Sequence, residues 1–165
     1  MANREQFSLV ENLYGRINNL ALQPSLENSI FPIFEAVSNS LNAIEEKFGL
    51  DNLNKGLIEI EVYRDKDDKP FSFRITDNGI GLNKANFDSF KTYDSSYKME
   101  KGGKGVGRLT WLKVFESTSV ESVFDDNGKK LKRFFSFEVT DTNLFTMIVE
   151  EADQSVETGT SITLN

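Results

Sequence analysis

Two segments, residues 57–63 and 71–77, most constrain the fold, because each alternates apolar and polar side chains with the period of a half-buried strand. The turn-forming residues 64–70 separate them. We therefore expect a hairpin in which Arg74 can lie across from the strand that carries Glu59 and Glu61. The apolar residues expected on the buried side of the first strand are Ile58, Ile60 and Val62.

The phase of the second strand decides where its last residue points. Phe71, Phe73 and Ile75 share one face with Asp77, so its carboxylate is directed into the layer that buries the phenylalanines. An ionised carboxylate in that layer is costly without a hydrogen-bond partner. We therefore expect a specific polar partner for Asp77.

The dominant helix is predicted over residues 25–49, with Ser25 as a possible N-cap and Gly49 placed to end it. Pro32 marks either the true start of the helix or a kink. The apolar stripe expected to face the core consists of Ile33, Val37, Leu41, Ile44 and Phe48. The opposite, polar face carries Glu35, Asn39, Asn42 and Glu46.

The rest of the chain lacks regular alternation of strands and helices, which excludes a doubly wound fold. A helix is predicted at 106–115 and a turn at Asp125–Gly128, while 82–104 is expected to be a long loop or lid. Further strands are predicted at 117–124, 130–139, 143–149 and 160–164. We expect one domain, an α+β two-layer sandwich with helices on one face of a mixed, mostly antiparallel sheet.

Composition narrows the chemistry. The 165 residues include no Cys and no His, which excludes disulfides, thiolate or imidazole zinc sites and an imidazole base. Any metal must be held by oxygen, as Mg²⁺ or Ca²⁺ is. The net charge of -7 disfavours direct nucleic-acid binding. With no long apolar run and no signal sequence, we expect a cytoplasmic chain without a membrane partner.

A glycine-rich run is the first candidate ligand site. Gly102, Gly103, Gly105 and Gly107 free backbone N–H groups where a helix is predicted to begin, which is typical of a phosphate cradle. Residues 91–108 also carry five basic and two acidic side chains. The alternative is a flexible loop kept soluble by lysines. A P-loop is excluded because the last glycine is not followed by Lys and then Ser or Thr.

Two further patterns each have a functional and a purely structural interpretation. The sequence DNGIG at Asp77–Gly81 is either a tight turn or a site where a carboxylate accepts the exocyclic amine of an adenine. An EF-hand is excluded because glycines occupy ligand positions. Glu35 and Asn39 lie one helical turn apart, on a face that is either only solvated or offers a proton acceptor and a neutral cation ligand.

Taken in order, four segments resemble the GHKL superfamily of Bergerat-fold ATPases, which includes gyrase B, the ninety-kilodalton heat-shock chaperone, MutL, MORC proteins and sensor histidine kinases. EAVSNSLNA resembles the N-box, DNGIG the adenine box, GGKGVG the phosphate box and GTSITL the closing Gly-Thr strand. The resemblance runs from about residue 30 to residue 164. The histidine-kinase branch is set aside, because the chain has no phosphoacceptor His.

Residue by residue, the resemblance implies that Glu35 is the general base for the attacking water and Asn39 the protein ligand of Mg²⁺. Asp77 would bind adenine, assisted by Thr160 through its hydroxyl or a water, and the adenine-binding loop would include Gly79 and Gly81, the latter close to the base. The phosphate-binding set would be Lys101, Gly103, Lys104, Gly105, Val106 and Gly107. Residues 82–104 would be the mobile lid.

The resemblance further implies a Mg²⁺-dependent ATP-binding and hydrolysing module that switches the conformation of a larger protein. Relatives dimerise when ATP binds and need a Lys or Arg from a following transducer domain. We therefore expect this chain to be the N-terminal fragment of a longer protein, with weak turnover alone. Two alternatives stay open: a non-catalytic nucleotide-binding module, and an acidic protein-interaction domain without nucleotide.

Overall fold

The computed structural model describes residues 13–91, 107–138 and 147–165. Four helices are described: α1 (Leu13–Asn18), α2 (Ile30–Phe48), α3 (Lys84–Lys91) and α4 (Gly107–Val114). The strands are β1 (Ile58–Arg64), β2 (Pro70–Asp77), β3 (Ser117–Asp126), β4 (Lys129–Glu138), β5 (Met147–Glu151) and β6 (Gly159–Leu164). Two 3₁₀ turns, Glu27–Ser29 and Leu50–Lys55, flank α2.

The six strands form one sheet in the order β1-β2-β6-β3-β4-β5. Every pairing between these strands is antiparallel, so the described part of the chain shows no parallel pair of the kind that a mixed sheet contains. The helices supply the second layer. The predicted α+β class is confirmed. No helix in the described ranges is long and apolar enough to cross a membrane.

The hydrophobic core lies between the helices and one face of the sheet. Strand residues on that face interlock with Ala36 of α2 and with the apolar residues of α4. Trp111 Nε1 also donates a hydrogen bond to the Pro32 carbonyl at 3.1 Å, which ties α4 to α2. The strand residues of this core cluster are Phe73, Ile75, Val120, Phe135, Ile162 and Leu164.

The long helix begins later than predicted. Ser25 Oγ accepts the Asn28 N–H at 3.2 Å and so caps the 3₁₀ turn, after which α2 starts at Ile30. Pro32 falls in the first helical turn, where its missing N–H costs little. Gly49 ends the helix with φ of 73°, a conformation that glycine adopts readily.

The predicted apolar stripe of α2 is wrong in part, because Leu41 is 55% exposed. Helix α2 packs mainly on β2 and beside α4. Ile33 and Val37 pack against the core but are only partly buried. The residues that the helix buries are Pro32, Ala36, Ser40 and Ile44.

The predicted β1–β2 hairpin is confirmed, and Arg74 lies across from the first strand as expected. Its register places Glu61 opposite Arg74 and Ile60 opposite Ile75. The expectation that β1 is half-buried is wrong, because Ile60 and Val62 are 48% and 43% exposed. Strand β1 is the sheet edge, and α2 covers its neighbour β2 instead. The alternating pattern of β1 therefore predicted which side chains share a face, but not whether a helix covers that face.

Helix α3 contradicts the prediction of an irregular segment throughout residues 82–104. Asn83 Oδ1 accepts the Asn86 N–H at 2.9 Å and caps the helix. Phe87 and Phe90, three residues apart, both pack on Phe135 with ring centroids at 5.6 and 5.4 Å. The segment is polar overall, so its two aromatic residues indicate a helix only when their packing on Phe135 is known.

The remaining elements follow the predictions closely. The predicted helix at 106–115 is α4, and the turn between β3 and β4 has positive φ at Asn127 and Gly128, as a two-residue hairpin turn requires. The strand predicted at 143–149 is described as β5, from Met147 onwards. Residues 143–146 lie outside the described ranges.

The directly paired Ile60 and Ile75 provide a test of how the layer is covered. Ile75 is fully buried, so Ile75→Ala should lower the free energy of unfolding by about 2–5 kcal/mol. Ile60→Ala removes the same atoms from an exposed site and should cost about 1 kcal/mol or less. Denaturation in urea measures both values. Equal losses would contradict the uncovered edge.

Candidate nucleotide-binding site

Asp77 ends β2 with its carboxylate on the helix-covered face, as the alternation predicted, and is only 7% exposed. Ser40 Oγ of α2 donates to Oδ2 at 2.9 Å. The backbone N–H groups of Gly79 and Thr160 donate to Oδ1 at 2.9 and 3.3 Å. A loop, a helix and a neighbouring strand thus supply the polar partners that a buried carboxylate needs.

Burial dominates the electrostatics of this carboxylate and raises the pKa of Asp77. The hydrogen bonds from Gly79, Ser40 and Thr160, and then the positive charge of Lys47, oppose that shift. The group is held as an acceptor in a poorly solvated place. Such a carboxylate can bind a neutral donor with little competition from water.

Lys47 of α2 links two backbone segments next to Asp77. Its Nζ donates to the carbonyl oxygens of Asn78 at 2.7 Å and Thr158 at 3.3 Å. Partial burial lowers the pKa of Lys47. The ammonium joins the loop after β2 to the chain entering β6, while compensating part of the Asp77 charge.

The two glycines of DNGIG allow close backbone packing. A Cβ on Gly79 would lie 2.6 Å from the Ala43 side chain, and the Ile80 N–H donates to the Ala43 carbonyl at 3.0 Å. Gly81 has φ of 80°, and a Cβ there would lie 2.1 Å from the Val123 carbonyl oxygen. The loop is therefore wedged between α2 and β3, and the contact of Gly81 with a base stays a prediction.

A row of buried polar residues crosses the sheet from Asp77. Direct cross-strand pairing joins Asp77 to Thr160, Thr160 to Ser122 and Ser122 to Arg133. The Thr160 hydroxyl lies 3.0 Å from Ser122 Oγ. Thr160 was expected to assist Asp77 by its hydroxyl or a water, whereas its direct contact with the carboxylate is through the backbone N–H.

The far end of this row holds the segment that leads into α3. The Leu82 N–H donates to Ser122 Oγ at 2.8 Å, and Arg133 Nη1 donates to the Leu82 carbonyl. The Arg133 guanidinium lies over the rings of Phe87 and Phe124, with its carbon 4.0 and 4.6 Å from their centroids. The described start of the predicted lid is thus attached to the sheet.

Glu35 and Asn39 meet on the side of α2 that faces α4. Asn39 Nδ2 donates to Glu35 Oε1 at 3.2 Å, and both side chains are half-buried. The Glu35 carboxyl carbon lies only 1.8 Å from where a Cβ of Gly107 would be. The first residue of α4 therefore has to be glycine for Glu35 to keep this position.

The site residues predicted from the sequence are thus partly brought together. Asp77, Gly79 and Thr160 form one cluster, and Gly81 lies in the same loop against β3. Glu35 and Asn39 of α2 form a second cluster with Gly107 at the start of α4. The predicted phosphate-binding residues Lys101, Gly103, Lys104, Gly105 and Val106 lie outside the described ranges. Their roles stay predictions.

Three polar side chains of this site were not predicted from the sequence: Ser40, Ser122 and Lys47. Ser122 had a readable signal, because it shares the alternating face of Val120 and Phe124 in a predicted strand. Ser40 lies one turn after the buried Ala36, but a serine among polar neighbours has no distinct periodicity. The role of Lys47 could not be predicted from the sequence, since its partners are backbone carbonyls distant in the chain.

The family described as histidine kinase-, DNA gyrase B- and HSP90-like ATPase matches residues 28–164. The chain therefore belongs to this family of GHKL ATPases, and ATP binding is the property that membership implies. The resemblance read from the four motifs is confirmed. No curated protein sequence matches the chain significantly.

Solved structures support the same fold. The ATPase region of Saccharomyces cerevisiae topoisomerase II is 13% identical, with a TM-score of 0.61, over 95% of this chain and 50% of that one. The ATPase and transducer domains of Balamuthia mandrillaris DNA topoisomerase II are 16% identical, with a TM-score of 0.56, over 82% and 37%. This chain thus spans half or less of either neighbour.

The raised pKa of Asp77 has a testable effect on stability. Because the folded state binds this proton more tightly than the unfolded state, stability is lost as pH rises from the ordinary carboxyl pKa through the raised one. Asp77→Asn keeps an acceptor for Gly79 and Thr160 and a donor for Ser40 Oγ. Its unfolding free energy relative to the unsubstituted protein should therefore increase with pH over this range, measured by urea titrations. A constant difference would contradict this reasoning.

The two glycine contacts should respond differently to alanine. In Gly79→Ala the new methyl meets the backbone of Ala43, so we expect a loss of about 1–3 kcal/mol in the free energy of unfolding. In Gly107→Ala it meets only the mobile end of Glu35, and the helix gains propensity, so stability should be unchanged or higher. Parallel denaturation curves decide; the reverse ranking would refute this assignment.

Proposed function

We propose that this domain binds ATP with the adenine amine on Asp77, hydrolyses it with the help of Mg²⁺, and uses the cycle as a conformational switch. The observation that carries the proposal is the state of the Asp77 carboxylate. It has about four acceptor positions, and three hydrogen bonds are present, of which two are on Oδ1. The remaining acceptor capacity of Oδ2 suits an exocyclic amine.

The phosphates would lie towards the start of α4. An eight-residue helix beginning at Gly107 directs its positive end to this side, and Glu35 already lies against that residue. The glycine-rich run that resembles the family's phosphate box directly precedes this helix, which supports placing the phosphates here. The adenine and phosphate ends would then both contact α2.

Asn39 fits the role of a Mg²⁺ ligand. Its Nδ2 donates to Glu35, which directs the amide so that the carbonyl oxygen is left to bind a cation. A neutral amide oxygen is a suitable ligand for Mg²⁺, which also takes phosphate oxygens and water. Bound there, the ion would neutralise charge on the phosphates during transfer.

Glu35 is suited to accept a proton from the attacking water. It is half-buried, and the hydrogen bond from Asn39 fixes one carboxyl oxygen while the other is left for water. Gly107 holds no side chain that would displace it. These contacts support hydrolysis rather than binding alone.

The proposed switch involves a second domain and a second copy of the chain. The Balamuthia mandrillaris neighbour contains a transducer domain as well as an ATPase domain. We propose that this domain likewise works with a second domain and forms an ATP-dependent dimer, with residues beyond α3 closing over the nucleotide. The attached α3 would then serve as a fixed wall.

Binding can be tested by thermal denaturation with ATP and Mg²⁺. At about 100 times Kd, linkage predicts a rise in Tm of about 5–10 °C for a domain of this size. Asp77→Asn should abolish the shift, because the amide cannot accept equivalently at that position. Asp125→Asn is the matched control, since that exposed carboxylate also accepts a glycine N–H, at 2.8 Å. Loss of the shift in both variants, or in neither, would refute the adenine role.

Hydrolysis can be tested by phosphate release from the same preparations. Glu35→Gln should keep ATP affinity within a few-fold and lower turnover by about 10²-fold or more. Glu59→Gln, on the exposed edge strand, should change neither. Intact binding with no turnover, even when the unsubstituted domain is joined to a following transducer segment, would instead identify a non-catalytic nucleotide-binding module.

A further inference from the structure

The Ser122 hydroxyl makes three hydrogen-bond contacts, which use its full donor and acceptor capacity. Its Oγ is 2.8 Å from the Leu82 nitrogen, 3.0 Å from the Gly159 carbonyl oxygen and 3.0 Å from Thr160 Oγ1. The side chain is 1% exposed, so water does not compete. A hydroxyl donates one hydrogen and accepts two.

Only one arrangement satisfies all three contacts. The Leu82 N–H must donate to Ser122, and the Gly159 carbonyl can only accept, so the Ser122 hydrogen goes to Gly159. The Thr160 hydrogen must then go to Ser122, which fills its second acceptor position. Thr160 Oγ1 is left with lone pairs alone.

Resting on the proposed adenine site, we infer that Ser122 is a specificity-determining residue, which makes Thr160 an acceptor and so selects a 6-amino over a 6-oxo purine. Thr160 is paired directly with Asp77 on the same face, and its N–H already binds that carboxylate. The Asp77 carboxylate and Thr160 Oγ1, the two side-chain groups of this row nearest the proposed base, therefore both present acceptors. An amine edge satisfies these acceptors, whereas a carbonyl edge opposes them with further lone pairs.

Removal of the Ser122 hydroxyl would release the Thr160 hydrogen. The strongest acceptor beside it is the Asp77 carboxylate, whose free position the base amine needs. The hydroxyl could equally donate to the 6-oxo group of inosine. Without the Ser122 hydroxyl, the affinity for ATP, which has a 6-amino group, should therefore fall, whereas the affinity for inosine triphosphate, which has a 6-oxo group, should not.

The test is calorimetric titration of the whole chain, in the presence of Mg²⁺, with ATP and separately with inosine triphosphate, which carries a 6-oxo group. In Ser122→Ala the ATP-to-inosine-triphosphate affinity ratio should fall by about tenfold, the value of one hydrogen bond to a charged group. General damage, including the loosened Leu82, would weaken both nucleotides alike and leave the ratio unchanged. An unchanged ratio overturns the inference.

A matched control exists on the opposite face of the sheet. Ser161 Oγ lies 3.0 Å from Thr76 Oγ1, a cross-strand hydroxyl pair of the same kind away from the site, so Ser161→Ala should keep the ratio. In Thr160→Val, which has no hydroxyl to direct, adding Ser122→Ala should not change the ratio further. Additive effects would overturn the inference. Failure of the unsubstituted protein to bind ATP would refute the proposed function itself.

Discussion

The carboxylate of Asp77 brings a charge into the layer between helices and sheet, where ionisation is costly unless several donors converge on it. Those donors come from α2, from the loop after β2 and from β6, which are far apart in the chain. The hydrogen bonds of the site therefore form only when these three elements are packed together. The raised pKa of Asp77 expresses the same tension, since burial outweighs the hydrogen bonds that oppose it.

Glycines and buried hydroxyls make this convergence possible. Gly79 lets the loop approach α2 to a distance that no side chain allows, and Gly107 leaves room for Glu35 at the start of α4. Ser122 and Arg133 then hold both backbone groups of Leu82, so the entry to α3 belongs to the sheet. A polar row thus runs through an apolar layer with each hydroxyl engaged, which favours one arrangement of the site over alternatives.

Much of this could be predicted from local pattern. The hairpin, the buried direction of Asp77 and the helix starting from glycine depend on strand parity and on helix propensities, which short segments carry. The errors have a common cause. Leu41 and Ile60 are apolar and correctly phased, but whether a phased side chain is buried depends on what lies above it. Helix α3 was missed because its aromatic face has meaning only against Phe135.

The amino-acid sequence alone determined the fold class, the four motifs in order and the chemistry available to them, because these depend on residue types and spacing along the chain. Only the tertiary structure decided which side chains meet. The contacts of Asp77 with Ser40 and of Thr160 with Ser122 join residues 37 and 38 positions apart. Hydrogen bonds act over about 3 Å, so only the folded backbone can make such residues neighbours.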